Sequence, residues 1–540
     1  MKKRIALLLT IVLTLSAMTA GCGKKDDTAS TTAGGQGVET TAAKDESQAG
    51  ADGAEARVLT IGIAADPQTV DPQALLSGAT TAVIDNMYSK LLSRDNDMNI
   101  VKDLVTDYEI VDDTTWTFTL REDAKFHNGD PLTAEDVKFS IERAAKDETL
   151  MEYPHWKNVE SVEVIDDYHF NIKTWEPYPA LEALLSKSGG QILPKEYIEE
   201  VGMDGFLKAP VGSGPYKFVS YTKDQEMVME PNLDYYDDVN ATWSKVIFRI
   251  LPEESTRVGE LLSGGVDIIN NVSPNEWDRV NSNDGTSIQL GEGTRVYMLG
   301  MKCSEGNETA DVRVRQAIDY AIDDKLIAEK VLDGGGVQTL TRVANGVVGQ
   351  DESLYGQYNF DVDKANQLLD DAGYPKGEDG IRFTLGLEGS NGRYMLDGDV
   401  CQAVAAMLEE NVGIKVDLQL YDSTTYVNIL SPREFKDAAM YCFGDNFFDG
   451  IYAIACYTPD FSMGETDYDN ARVNELYTSA MANMNLEERI EQIQEAQQIA
   501  AEEVPYSNLV NLKIAYGVSD DIQFTGRLDE IFDLNSITLK

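Results

Sequence analysis

The chain is predicted to fold as a multi-domain α/β or α+β protein, on three observations. At 540 residues it is too long for one hydrophobic core, so two or three domains are expected. Its 42% hydrophobic and 9% aromatic content is that of a globular protein. Stretches of strand period and of helix period are mixed along it without a strict repeat.

The first residues read as an address. "MKKR" is a positive n-region, and Ile5 to Met18 is an apolar run of 14 residues, of signal-peptide length and too short to span a bilayer comfortably. "TAGC" follows, with Cys22 after two small residues, a pattern that resembles a bacterial lipoprotein signal. The resemblance implies cleavage after residue 21 and a lipid on Cys22. It places the protein on the extracellular side of a Gram-positive-like cell membrane, or in the periplasm of a Gram-negative cell. Residues 22–56 are rich in Gly, Ala, Ser and Thr and nearly devoid of large apolar side chains, so they read as a flexible tether. Such a tether spans on the order of 30 Å root-mean-square.

The charge is strongly acidic: 45 basic against 93 acidic residues, a formal net charge of −48. This argues against a nucleic-acid partner and reads as a solvated surface, or as a field that attracts cationic solutes. Loss of residues 1–21 leaves 42 basic residues and a charge of −51.

Further along, "RVLTIGIA" is a strand and "TTAVIDNMYSKLLSRD" has a helical period. Asp95, Asp97 and Asn99 mimic a calcium loop, but Ile100 stands where that loop needs Gly, so a hairpin turn is expected. Trp116, Phe118 and Leu120 alternate with polar residues in a half-buried strand, and "NGD" makes the turn after it. Thr133 is placed as an N-cap with Asp136 in capping-box position, opening a helix whose stripe is Val137, Ile141, Ala144 and Ala145. "SVEVIDDYHFNIKTW" reads as a hairpin turning at Asp166–Asp167, and "APVGSGPYKF" as a close backbone crossing. A break near Asp323 and a stop at Gly334 divide the next helical stretch. "DVDKANQLLDDAGYPKG" reads as a capped helix ending at Gly373, and a later helix is capped by Asn485 with Glu488 in box position.

Catalytic motifs are missing. The sequence contains no GxSxG, HExxH, Walker A or GxGxxG. Its three histidines, His127, His155 and His169, leave few options for a general base, and His127 and His169 read as structural. The four downstream cysteines, Cys303, Cys401, Cys442 and Cys456, form no zinc-binding spacing. They permit three disulfide pairings or remain buried thiols. Abundant carboxylates leave a secreted glycoside hydrolase as the remote alternative.

Taken together, the motifs resemble the family 5 bacterial extracellular solute-binding proteins. "WTFTLREDAKFHNGDPLTAEDVKFSIER", "VGSGPYKF", "VRVRQAIDYAID", "AGYPKG" and "NGRYMLDGDVCQAVAAMLEENVGIKVDLQLYD" occur in that family's order, from about Leu59 to the C-terminus. The resemblance implies an α/β, two-lobed, hinge-closing clamp of the periplasmic-binding-protein type, with an additional α+β domain inserted in the first lobe. By analogy the first lobe comprises 57–94, 208–291 and the returning 506–540, the insert 95–207 and the second lobe 292–505. It further implies a monomeric, non-enzymatic receptor that delivers di- or oligopeptides to ABC importer permease subunits and needs no cofactor. The same architecture serves a nickel chelate, heme, an oligosaccharide or a peptide signal.

In dipeptide-binding members an aspartate in a GDN-like segment holds the ligand ammonium. "CFGDNFFDG" offers Asp445, or Asn446 in an alternative alignment frame. Arg393, in "GRY" before a helix, is the candidate for the ligand carboxylate, which arginine binds bidentately. Tyr394, Phe447, Phe448 and Trp175 are candidate cleft-lining aromatics.

Overall fold

Two long antiparallel strands, Thr286–Met301 and Tyr506–Ser519, form the spine of the molecule. At about 3.3 Å per residue the longer one runs for about 50 Å, enough to serve two lobes. The computed structural model describes residues 57–74, 77–430, 435–459 and 466–540. The predicted signal peptide, Cys22 and the tether lie outside the described residues.

On one side of the spine the sheet continues through Ala438–Phe443 and Phe383–Ser390 to Ile414–Tyr421. On the other it continues through Ile268–Ile269, Arg57–Ile63, Trp243–Ile250 and Glu226–Pro231 to Tyr216–Thr222. The pairing of the two long strands shifts register between Glu292 and Val296. There the Asn511 side chain donates to the Gly293 and Arg295 carbonyls at 2.7 and 3.0 Å, satisfying backbone groups that the bulge leaves over. A bulge in strands common to both lobes is where bending is cheapest.

The period-2 alternation of strands divides the second lobe into two cores. Tyr297, Leu299 and Met301 face a cluster that includes Val314, Leu369, Val400 and Val404 from helices Val312–Ala321, Val362–Asp371 and Asp397–Met407. Met298, Ala439 and Tyr441 join the opposite cluster with Val473, Ile493 and Ala496 from helices Ala471–Ala482 and Leu486–Glu503. The first lobe closes around Leu59, Ile61, Trp243 and Phe248. Leu193, Ile198 and Phe206 also belong to that first-lobe core.

A separate four-stranded antiparallel sheet, ordered Val105–Asp112, Thr115–Leu120, His169–Thr174, Val159–Asp166, carries the block read as half-buried strand and capped helix. Trp116, Phe118 and Leu120 are buried, and helix Ala134–Lys146 lays Val137, Ile141, Ala144 and Ala145 against them. The Asp136 carboxylate accepts from Thr133 N and Oγ1 at 2.9 and 3.0 Å, the acidic half of the cap. His127 is a clip. Its Nδ1 accepts from Gly212 N at 3.3 Å, and its Nε2 donates to Gly214 O at 3.0 Å. A side chain on Gly212 or Gly214 would strike the backbone of Asn86–Met87, so the glycines do mark a close crossing.

Two expectations are corrected and one open alternative is settled. The helical period from Thr80 gives only the helix Gly78–Ile84 and a 3₁₀ turn, Asp85–Met87. Beyond it Ser89 donates from both N and Oγ to Ser213, and Leu92–Arg94 pairs with Ile100–Lys102, so tertiary pairing overrides the period. Glu488 does not complete the box at Asn485, because Asn485 N donates instead to Asn483 Oδ1. Of the cysteine alternatives the free thiols are found: Cys401, Cys442 and Cys456 are buried and Cys303 is partly so.

Candidate functional site

The loop that follows strand Ala438–Phe443 is fixed from within. Asp445 Oδ1 accepts from the N–H groups of Phe447 and Phe448 at 2.8 and 3.1 Å, and Phe448 takes a left-handed φ of 57°. Asp449 accepts from Ile451 N, capping helix Gly450–Ile454, while both its oxygens receive Arg489 at 2.9 Å. With one end capped and salt-bridged, the loop holds its geometry without cargo. Asp445 is 7% exposed, and its second oxygen, Oδ2, is buried without a hydrogen-bond partner. Burial, helped by the nearby Asp449 charge, pushes the Asp445 carboxyl up to about 7.

The first lobe and the insert supply the opposing wall. Arg94 is buried; it donates to the carbonyls of Met98 and Phe447 at 2.9 and 3.2 Å and lies 5.1 Å from the Phe448 ring centre. Its Nε is buried without a partner. Lys187 donates to both oxygens of Glu152 at 2.7 and 2.8 Å, deep in the insert. Burial works against the Glu152 charge, and the Lys187 ammonium outweighs it, holding the carboxyl below its usual range.

Two pins cross the seam in opposite directions. Phe447 is 6% exposed inside the insert's hydrophobic cluster. There it meets the His155 ring edge-on at 4.5 Å and sits under the Lys187 ammonium at 5.0 Å. Met98, from the turn 95–99, enters the second lobe's cluster instead. Asp95 shapes that turn by accepting from Asp97 N and Asn99 N, so the hairpin reading holds. Tyr178 and Tyr452 join the two sides hydroxyl to hydroxyl at 2.8 Å.

Where the two walls meet lies a small cavity of about 60 Å³. It is lined by Ser77 and Thr81, by Arg94, by Glu152 and Lys187, by Asn446 and Phe448, and by Asp529 of the C-terminal return. A more polar cavity, lined by Asp85, Lys90, Asp103, Tyr235 and Arg527 among others, takes no residue from the second lobe.

The sequence candidates therefore separate. Asn446 and Phe448 line the inter-lobe cavity, Asp445 stands next to them in the loop, and Phe447 is a buried pin. Arg393 and Tyr394 sit apart from this lining, on a loop whose Gly392, Arg393 and Tyr394 N–H groups are gathered by Asp397 at 2.8, 3.0 and 3.2 Å. Arg393 donates to Tyr394 Oη and Ser423 Oγ, each at 2.8 Å. Trp175 is 64% exposed at the end of strand His169–Thr174 and is not part of the cavity lining. Sequence reasoning missed Arg94 and the Glu152–Lys187 pair. A basic residue in an apolar stretch of an acidic chain, as in "ALLSKSGG", was the available signal.

Residues 99–460 match the model of the bacterial extracellular solute-binding proteins, family 5 Middle. The chain belongs to this family. A probable D,D-dipeptide-binding periplasmic protein of Escherichia coli K12 is 25% identical over 499 residues, covering 89% of this chain and 94% of its own. HbpA2 from Haemophilus parasuis superposes with a TM-score of 0.79 at 22% identity, covering 90% of this chain and all of that one. A dipeptide-binding protein from Pseudoalteromonas sp. SM9913, solved with Met-Leu, gives 0.72 at 21%, with 90% and 100% coverage. The family 5 fold, a two-lobed clamp with an added domain, is thus the fold of this chain. Among the described residues no helix is long and apolar enough to cross a membrane.

Proposed function

We propose that this family 5 protein is the cargo receptor of an ABC importer, closing its lobes on short peptides and passing them unaltered to the permease. Asp445 carries the reading. It offers a buried, unpartnered carboxylate oxygen in the loop that walls an inter-lobe cavity. Leaving a buried acceptor unmade costs about 1–3 kcal/mol, more when it is charged, and the free ammonium of a peptide satisfies it. Arg393 is the partner assigned to the carboxylate end. Relatives named for a D,D-dipeptide and solved with Met-Leu support peptides as the cargo class.

In this reading residues 57–94, 208–291 and 506–540 form the first lobe, 95–207 the insert and 292–505 the second lobe. Leu193, Ile198 and Phe206 weld the insert to the first-lobe core. Cys22, freed by cleavage after residue 21, carries the lipid that tethers a monomeric receptor outside the membrane. Closure follows from differential contact: cargo touching both walls stabilises the closed form by what it gains there over the open form.

Calorimetry with di- to pentapeptides tests the proposal. Free peptides are expected to bind at micromolar strength or tighter, and N-acetylated ones and the Asp445→Asn variant to lose roughly tenfold or more. No heat and no thermal shift across the series, or cargo recovered chemically changed, would overturn it.

A further inference from the structure

The last return of the chain to the first lobe does not stay there. Phe524 and Phe532 are buried in the first-lobe core, their rings packed around Tyr516. Leu528, midway between them, is 8% exposed and belongs to the second lobe's cluster with Met298, Val343 and Ala344. It seats on Gly346, whose φ of 82° is left-handed, and a Cβ there would stand 3.2 Å from Leu528 Cδ2. Residues 524–532 therefore form a strap, fixed at both ends in one lobe and pressed by its middle against the other.

The same cluster receives Met98 from the turn 95–99, and one side chain fastens strap and turn together. Arg527 donates to Asn96 Oδ1 at 3.0 Å and to Arg94 O at 3.1 Å. Its Nε and Nη2 also grip the two oxygens of Asp529 at 3.0 and 2.7 Å, a bidentate pair that fixes the plane of the guanidinium. Arg94 in turn donates to Met98 O at 2.9 Å. Met98 takes a left-handed φ of 66°, a conformation that a residue with a side chain keeps only where its surroundings over-determine it. Apolar side chains on loops lose conformational freedom when they dock, and loops fixed beforehand avoid that cost. Asp529 also lines the inter-lobe cavity, so the contacts run from the cavity wall through Arg527 to both apolar side chains.

We infer that Arg527 is a positioning residue for lobe closure: it locks strap and turn into one latch that presents Leu528 and Met98 to the second lobe as a unit. Leu528 is thereby a third pin across the seam. The latch rests on the clamp fold and holds whatever the cargo is. Through Asp529 it reaches the cavity wall, so cargo at that wall touches the carboxylate that orients Arg527.

Inter-lobe single-molecule fluorescence transfer on the full chain, without cargo, tests the latch. Leu528→Ala is expected to shift the lobes toward open about tenfold, as the loss of a buried leucine does. Arg527→Gln is expected to shift them about threefold or more when Met98 and Leu528 are present, and by less than about twofold once both are alanine. Arg527→Lys, which keeps the charge and loses the fork, should restore part of the closed fraction. A residue that merely braces the fold would lower the urea midpoint and give the same shift in both backgrounds, and that result overturns the inference. An open fraction unchanged by Leu528→Ala, with the fold intact, overturns it too. Should Arg527→Gln fail to fold, Arg527→Lys carries the same comparison between the two backgrounds. No peptide enters the measurement, so the latch and the peptide reading fail separately.

Discussion

Truncating the Phe447 pin should open the clamp. In the structure this second-lobe ring is 6% exposed within the insert's core, under the Lys187 ammonium and against the edge of His155. Burying a phenylalanine stabilises by about 1.5–3 kcal/mol. The ammonium contact adds about 0.5–1 kcal/mol. Part of this survives opening, because the ring also stacks on Tyr452 of its own lobe with centroids 3.8 Å apart. A loss of about 2 kcal/mol from the closed form alone is a roughly 30-fold shift toward open. Inter-lobe single-molecule fluorescence transfer on the unliganded Phe447→Ala protein measures that shift directly. Peptide affinity should fall by up to the same factor, since only the closed fraction binds tightly. Phe447→Leu, which keeps apolar area and loses the ammonium contact, should fall between the two. Met98→Ala, which removes the opposing pin, should move the equilibrium the same way. If Phe447→Ala leaves the closed fraction within about twofold of wild type while the fold stays intact, the pin does not govern closure and the reasoning fails.

Three further outcomes are expected. Asp445 holds its proton up to about 7 in the folded chain against 3.8 in the ordinary carboxyl, so the folded state binds more protons between these values. Stability therefore declines as pH rises through that window and levels above it, while peptide affinity rises to near pH 7; Asp445→Asn should flatten both profiles in denaturant melts and calorimetry. His127 shows the opposite sign. Burial pushes it down to about 4 from 6.5, so the unfolded chain takes the proton first, and stability is lost as pH falls through this interval. The loss approaches about 3 kcal/mol, and His127→Gln should remove that slope in the same melts. Glu152→Gln strands the Lys187 ammonium inside the insert and should cost about 3–5 kcal/mol in urea unfolding, whereas replacing both partners with apolar residues should cost far less.

What could be read from the sequence was short-range physics. The alternation of Trp116, Phe118 and Leu120 and the Thr133–Asp136 cap each depend on residues a few positions apart, and each stands in the structure; the glycines at 212 and 214 announced a close crossing but not its partner, the distant Asn86–Met87 backbone. The loop of Asp445 is local too: the carboxylate folds back on N–H groups two and three residues ahead. The rest of the site is long-range. Arg94 meets Phe447 across 353 positions, and Tyr178 meets Tyr452 across 274. No periodicity encodes such pairings. The same remoteness explains the shortened helix after Ile84, whose apolar spacing fitted a helix until Ser89 found Ser213. Phe447 shows the limit most clearly, since beside Phe448 it looked like one of two equivalent cleft aromatics. The structure sends the first into the neighbouring domain and leaves the second on the cavity wall. The left-handed turn at Phe448, held by Asp445, separates them. The residue assigned to the cargo ammonium thus also orients the closing pin. A cation drawn to Asp445 would tighten the loop that carries Phe447, which couples cargo recognition to closure through a single side chain.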